Sequence, residues 1–169
     1  MSLTNEVGAT LEAVNMRTAN QVVVSNGRSE LLMAVPPLRN GLLPPGVYPA
    51  SFAEVGAAFD QVQSRTRQTL NQALEHAATL IWSKDPAAAI YVNGSYVTDK
   101  TDLVDVDLAV RSDIWDDTLF LAEFAQLYPG EVSLVDSFFN STQSPQHMEN
   151  LFQEVQGSST HKGIIRLLP

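Results

Sequence analysis

The sequence contains no cysteine. Disulfide bonds, a thiolate nucleophile and zinc sites built on cysteine are therefore excluded. It also lacks an apolar run of the ~18 residues that a membrane-spanning helix needs. No basic segment followed by an apolar block suggests a signal peptide near the N-terminus. We therefore expect a cytoplasmic protein with no membrane contact.

Basic residues are scarce as well. Ten Lys and Arg stand against 19 Asp and Glu, which gives a formal net charge of −9. This balance argues against a broad electrostatic surface for long nucleic acids. An acidic protein that handles phosphates would most naturally do so through magnesium, which reverses the sign of the local field. His76, His147 and His161 have no metal-ligand spacing, so we expect no zinc site.

The remaining composition is that of a folded protein. Hydrophobic residues make up 44% and charged residues 17% of 169 residues, which is enough for one domain with a real core. Residues 1–42 are predicted to be an appendage with a short helix at 5–16 and a β-hairpin around Asn26-Gly27. We expect the hairpin loop to be longer than two residues. The proline-rich stretch 36–49 predicts an extended connector.

Helices and strands alternate through the rest of the chain, residues 43–169. A capping box of Ser51 and Glu54 predicts a helix that ends near Phe59, and Asp60 with Gln63 could cap a longer helix that Asp85-Pro86 ends. Further helices are expected at 114–127, capped by Ser112 or Asp113, and at 144–157. Strands are expected at 88–93, 104–110, 131–139 and 162–168. This order predicts an α/β (α+β) fold with a mixed sheet flanked by helices.

Two acids lie inside an apolar run of the second predicted strand. Residues two apart in a strand project from the same face, so Asp105 and Asp107 would point together. Val104, Val106 and Leu108 would then fill the other face or the ends of the strand. Two adjacent carboxylates repel, and one or two Mg²⁺ or Mn²⁺ ions relieve that repulsion. The pattern therefore predicts a metal seat.

A glycine–serine turn precedes these acids, with nine residues between Ser95 and Asp105. Gly94 allows the backbone to approach phosphate oxygens, and the hydroxyl and N–H of Ser95 can donate hydrogen bonds to them. Lys100, in the intervening loop, could reach a phosphate as a point charge or could simply be solvated. We therefore interpret this corner as a phosphate-binding turn.

Gly94-Ser95, the nine-residue spacing and Asp105-Val106-Asp107 together resemble the motif of the DNA polymerase β-like nucleotidyltransferase superfamily, in particular its small single-domain members. The stretches 43–50 and 91–108, with the closing Lys162-Gly163-Ile164-Ile165, resemble one bacterial and phage-associated branch. The resemblance covers about residues 43–169. It implies metal-dependent transfer of a nucleoside monophosphate from a nucleoside triphosphate to a hydroxyl acceptor.

By match to that motif, Asp105 and Asp107 would hold the metals, while Gly94 and Ser95 would hold the triphosphate. The acceptor hydroxyl could belong to a protein, an RNA end or a small molecule.

Active members of the superfamily usually add a third carboxylate on a later strand, which binds the catalytic metal and can activate the acceptor hydroxyl. Asp136 is the best candidate here, and Glu131 is a weaker one because it lies at the start of the predicted strand. An acid at such a position can also be a solvent-facing group.

Two other functions stay open at this point. The chain could be an inactive nucleotidyltransferase-fold module that binds a nucleotide or a partner protein without chemistry. It could also be a purely structural protein whose acids line a surface. The exposed edge of the N-terminal hairpin would suit a partner contact or a homodimer.

Overall fold

The computed structural model describes residues 22–25, 28–31, 35–59, 65–140, 144–154 and 160–169. The chain divides into two compact units, residues 1–32 and 33–169. In the first unit, β1 (Val22–Ser25) and β2 (Arg28–Leu31) form the expected antiparallel hairpin. Ser25 pairs with Arg28, so two residues separate the strands and the expected longer loop was wrong. Asn-Gly is the dipeptide that two-residue hairpin connections favour. The helix expected at 5–16 lies outside the described residues.

The second unit is built on a five-stranded mixed sheet with the order β3-β7-β4-β5-β6. The pairs β3–β7 and β5–β6 are parallel, whereas β4 is antiparallel to both β5 and β7. This sheet and its flanking helices confirm the expected α/β class. The strands are β3 (Val47–Ala50), β4 (Ala89–Asn93), β5 (Val106–Arg111), β6 (Val135–Phe139) and β7 (Ile164–Leu167).

One strand lies where we expected only a connector. β3 occupies the end of the proline-rich stretch, and β7 is its one neighbour among the described strands. An edge strand accommodates Pro49 because one side of its backbone needs no ladder partner. Proline content therefore misled the prediction at this position.

Within the described residues, four α-helices accompany the sheet: α1 (Phe52–Phe59), α2 (Arg65–Lys84), α3 (Asp117–Leu127) and α4 (Pro145–Gln153). The capping box before α1 is confirmed, since the backbone N–H of Ser51 donates to Glu54 at 2.8 Å and the N–H of Glu54 donates back to Ser51 Oγ at 3.4 Å. Ser144 caps α4 by accepting from the N–H of His147. Asp60 and Gln63 lie outside the described residues. The expected end of the last helix at Gly157 was wrong, because α4 ends at Gln153 and the extended Glu154 pairs with His161. No helix in the described part of the chain is long and apolar enough to cross a membrane.

The start of α3 differs from the prediction. Asp116, and neither Ser112 nor Asp113, is the N-cap, and its carboxylate accepts from the N–H of Leu119 at 2.8 Å. Ser112 is buried instead in a tight turn, where its hydroxyl donates to Asp85 at 2.6 Å and accepts two backbone N–H groups. The Ser112 side chain thus ties the end of β5 to the end of α2, which delays the helix.

Two strand boundaries also shift. The β4–β5 ladder starts at the Asn93–Asp107 pair, and beyond Asn93 the chain turns away. Residues before Val106 therefore have no partner in β4. Asp105 precedes β5, and the side chain of Val104 is 71% exposed, so the expected strand start at 104 was wrong. Similarly, β6 begins after a 3₁₀ turn at Val132–Leu134 and does not include Glu131.

The two faces of the sheet have different covers. The larger core lies on one face, where β4, β5 and β7 side chains pack with α1, α2 and α3. On the other face, α4 places Met148 and Phe152 against Tyr91, Ala109 and Ile164. Because side chains alternate along a strand, Asn93 and Asp107 share this second face with Tyr91 and Ala109. The α4 face is therefore the one that carries the predicted polar residues.

Candidate functional site

A cleft of about 460 Å³ opens where β4 ends and β5 begins. It is lined by residues that converge from β4, the following turn and loop, the start of β5, the end of α4 and the approach to β7. Five of the six residues predicted to form the site line it: Gly94, Ser95, Lys100, Asp105 and Asp107. The structure therefore brings the glycine–serine turn and the two neighbouring acids into one space.

Gly94 and Asp107 are in direct contact. Asn93 pairs with Asp107 in the antiparallel ladder, and Gly94 then turns the chain with a φ of +71°. This left-handed conformation favours glycine. A Cβ atom at Gly94 would lie 1.4 Å from Asp107 Oδ2, so the carboxylate occupies the space that any other residue would need. The glycine–serine turn and the start of β5 therefore form a single structural unit.

The turn itself is a short 3₁₀ helix over Gly94–Val97. The Thr98 N–H and hydroxyl both donate to the Ser95 carbonyl oxygen, at 3.2 and 2.6 Å. The Lys100 N–H in turn donates to Thr98 Oγ1 at 3.3 Å. Lys100 is exposed while Ser95 is half-buried. The backbone hydrogen bonds thus hold the turn and leave both side chains at the cleft.

The buried side chain of Arg67 holds this loop in place from the core. Its side chain is 1% exposed, and its guanidinium donates to the carbonyl oxygens of Tyr96, Thr98 and Lys100 at 3.0, 2.7 and 2.9 Å. The rings of Phe59 and Tyr96 lie 5.8 and 5.7 Å from the Arg67 Cζ atom. The role of Arg67 in holding the loop could not be predicted from the sequence, because its partners lie 29 to 33 residues away and no local pattern links them to α2.

The three predicted metal ligands interact electrostatically without sharing one pocket. Burial raises the pKa of Asp107, and the charges of Asp105 and Asp136 raise it further, whereas Lys162 and a backbone hydrogen bond lower it. Asp136 pairs with Asp107 across the β5–β6 ladder. Its side chain is exposed and does not line the cleft. Glu131, the weaker candidate, contacts His76 at 2.9 Å.

Lys162, named above only as part of the family resemblance, is a further charged residue of the cleft. Its side chain is 8% exposed, and Nζ donates to the Gly94 carbonyl oxygen at 2.8 Å. Burial lowers the pKa of Lys162, the Asp107 carboxylate raises it, and Lys100 lowers it. Lys162 is 68 residues from Gly94, so only the fold reveals the contact. Glu154, at the end of α4, also lines the cleft.

The donor atoms suit a metal that is shared with a ligand. Among the described residues, no group of three or more His, Asp or Glu side chains could hold a metal ion. Mg²⁺, however, is commonly bound by one or two carboxylates plus substrate phosphates and water. Asp105 and Asp107 provide two carboxylates. Asn93 Oδ1 adds a buried oxygen that accepts no hydrogen bond from the described residues. These residues fit Mg²⁺ or Mn²⁺ held jointly with a phosphate.

The fold and cleft define an α/β protein whose acidic and basic residues meet at the end of a mixed sheet. The chain belongs to DUF6932, a family of unknown function whose model matches residues 36–168. The match includes every residue that lines the cleft. Searches of curated proteins and of solved structures found no match. The lining of the cleft is therefore the main indication of function.

Proposed function

We propose that the chain is a metal-dependent nucleotidyltransferase that moves a nucleoside monophosphate from a nucleoside triphosphate to a hydroxyl acceptor. The contact between the Gly94 backbone and the Asp107 carboxylate carries the proposal. It makes a phosphate-binding turn and a metal-binding acid adjacent parts of one cleft. A triphosphate on the turn would then place its oxygens beside the carboxylates that hold the metal.

Each of the six residues predicted from the sequence has a role in this reaction. The Gly94 backbone and the N–H and hydroxyl of Ser95 bind phosphate oxygens, and Lys100 adds a positive charge from the loop. Asp105 and Asp107 would hold Mg²⁺ or Mn²⁺, which neutralises charge on the transferring phosphoryl group when bound. Asp136, beside Asp107 on the next strand, is the proposed third carboxylate.

The reaction exchanges one bond to phosphorus for another. The acceptor oxygen bonds to the α-phosphorus while the bond to the β-phosphate oxygen breaks, and pyrophosphate leaves. The third carboxylate, Asp136, would take the hydroxyl proton. The net charge of −9 favours a protein side chain, a short RNA end or a small molecule as acceptor over a long nucleic acid.

Label transfer tests the enzymatic claim. The protein is incubated with Mg²⁺, each α-³²P-labelled nucleoside triphosphate and cell lysate, and labelled products are counted. We expect transfer by the wild type and loss of more than about 100-fold in Asp105→Asn and Asp107→Asn, since each removes a charge on which the chemistry depends. Asp113→Asn, at an exposed acid outside the cleft, serves as the control. A wild type that transfers no label from any donor contradicts the proposal.

A second candidate is a module that binds the nucleotide without turnover. The exposed Asp136 favours it, because this acid lies outside the cleft that contains Asp105 and Asp107. Calorimetry with Mg²⁺ and each nucleoside triphosphate separates the two candidates. Binding without label transfer supports the module, whereas binding with transfer supports the enzyme.

A further inference from the structure

The backbone around Lys162 is fixed by its neighbours on both sides. The Lys162 N–H donates to the Gln153 carbonyl oxygen at 2.8 Å, and the Gly163 N–H donates to the Leu43 carbonyl oxygen at 2.8 Å. A Cβ atom at Gly163 would lie 2.3 Å from the Pro44 carbonyl oxygen, so only glycine fits this crossing. These contacts hold the start of the Lys162 side chain at one position beside the cleft.

Among the described residues, the ammonium group of Lys162 has binding capacity beyond its bond to Gly94. It has three N–H donors, of which one is given to the Gly94 carbonyl oxygen. Asp107 is near enough to attract it, yet no carboxylate of a described residue forms an ion pair with it. Burying a charge without a paired counter-charge is unfavourable. An anion beside the Gly94 turn would supply that counter-charge.

Lys100 lies on the same cleft, and the two lysines are close enough to repel each other. Asp105 and Asp107 line the same space and would repel a phosphate that arrived without a cation. A ligand that satisfies all four side chains carries several anionic oxygens together with a divalent metal. The Mg²⁺ complex of a polyphosphate has this composition.

We propose that Lys162 is a further phosphate-binding residue of the cleft, whose ammonium group determines how tightly the triphosphate of the donor is held. This inference rests on the proposed function and names the group that the site recognises. Lys162 contacts phosphate oxygens held on the Gly94-Ser95 turn, and Lys100 contacts them from the loop.

Binding of Mg²⁺–tripolyphosphate tests the inference without knowledge of the base. Calorimetry compares tripolyphosphate with inorganic phosphate for the wild type and for Lys162→Gln, which keeps a hydrogen-bond donor but removes the charge. We expect the wild type to prefer tripolyphosphate and Lys162→Gln to bind it roughly 10- to 100-fold more weakly, which converts to about 1.4–2.8 kcal/mol. Lys84→Gln, at a surface lysine paired with Glu123, should leave the affinity unchanged.

Two further measurements separate a binding role from a structural one. Thermal melting of each variant reports whether the bond to the Gly94 carbonyl matters for stability. Lys162→Arg keeps the charge and should retain affinity within about tenfold, with a salt dependence like that of the wild type. If Lys162→Gln does not fold, a loss of tripolyphosphate affinity greater than about tenfold in Lys162→Arg overturns the inference.

The outcomes also distinguish this inference from the proposed function. If the wild type binds nucleoside triphosphates and Lys162→Gln binds tripolyphosphate equally well, the role of Lys162 is refuted and the proposed function stands. If the wild type binds tripolyphosphate but no nucleoside triphosphate, the site recognises inorganic polyphosphate, and both proposals fail. A wild type that binds neither ligand also removes both.

Discussion

Replacing Arg67 by Met should destabilise the protein strongly, because this side chain is buried and holds the loop that lines the cleft. The substitution removes three charge-assisted hydrogen bonds of 2.7–3.0 Å to the carbonyl oxygens of Tyr96, Thr98 and Lys100. Hydrogen bonds to charged groups contribute about 1.5–3 kcal/mol each. The methionine side chain fills part of the same volume and is easily buried, and the loop can move to bring its carbonyls to water. Because the buried methionine and the hydrated carbonyls offset part of the three lost bonds, we expect a decrease of about 3–5 kcal/mol in the free energy of unfolding.

Urea unfolding followed by tryptophan fluorescence measures this change. Domains of this size are stable by about 5–15 kcal/mol, so the variant should still fold at low temperature. Gln68→Met, at the exposed neighbouring position in α2, should change the free energy by less than about 0.5 kcal/mol. Arg67→Lys should fall between the two because a single ammonium cannot reproduce the planar fork. A loss below about 1 kcal/mol in Arg67→Met would show that the loop holds its shape without the guanidinium.

Two further changes probe the contact between the motifs. Gly94→Ala places a Cβ atom 1.4 Å from Asp107 Oδ2 at a φ of +71°, so we expect a loss of about 1–3 kcal/mol in stability and loss of tripolyphosphate binding. The control Gly130→Ala, where nothing lies within 4 Å of the added Cβ atom, should have no effect on binding. Full tripolyphosphate affinity in the Gly94→Ala variant would contradict the proposed site. Asp107→Asn should stabilise the protein in the absence of metal, because the raised pKa of Asp107 means that its ionised form opposes folding. That gain should be greatest above the raised pKa and disappear as the pH falls below the ordinary value of 3.8; melting curves across pH 3 to 8 test it, and a gain that grew with acidity would refute the reasoning.

Local patterns predicted the part of the fold that depends on local chemistry. The Ser51–Glu54 capping box and the Ser144 cap form as expected because each involves residues within one helical turn. The strand at Val47–Ala50 was missed because its partner β7 is more than 100 residues away and no local feature outweighs the prolines. The alternation of apolar and acidic residues over 104–108 predicts a strand that includes Asp105. The ladder between β4 and β5, however, ends at the Asn93–Asp107 pair, where β4 turns at Gly94.

The same distinction applies to the site. The spacing from Gly94-Ser95 to Asp105 and Asp107 could be read from the sequence because it reflects one strand, one turn and one strand. The roles of Arg67 and Lys162 could not be predicted, since each contacts the turn through backbone carbonyls. Every residue has a backbone carbonyl, so the sequence does not indicate which of them accept these bonds. Both residues resemble ordinary helix or loop cations until the fold brings them to the turn.

The turn after β4 thus receives charge from three separate parts of the chain. Arg67 holds its carbonyls from the core, Lys162 holds the Gly94 carbonyl from the approach to β7, and Asp107 occupies the space beside Gly94. A turn that served only to connect β4 and β5 would need none of these, since its backbone could be solvated at the surface. Buried charges are unfavourable unless they are compensated, and here the acids and lysines lie together without a direct ion pair among the described residues. A ligand that carries both a divalent cation and phosphates compensates both signs at once, which is why the charge arrangement itself favours a metal–triphosphate complex.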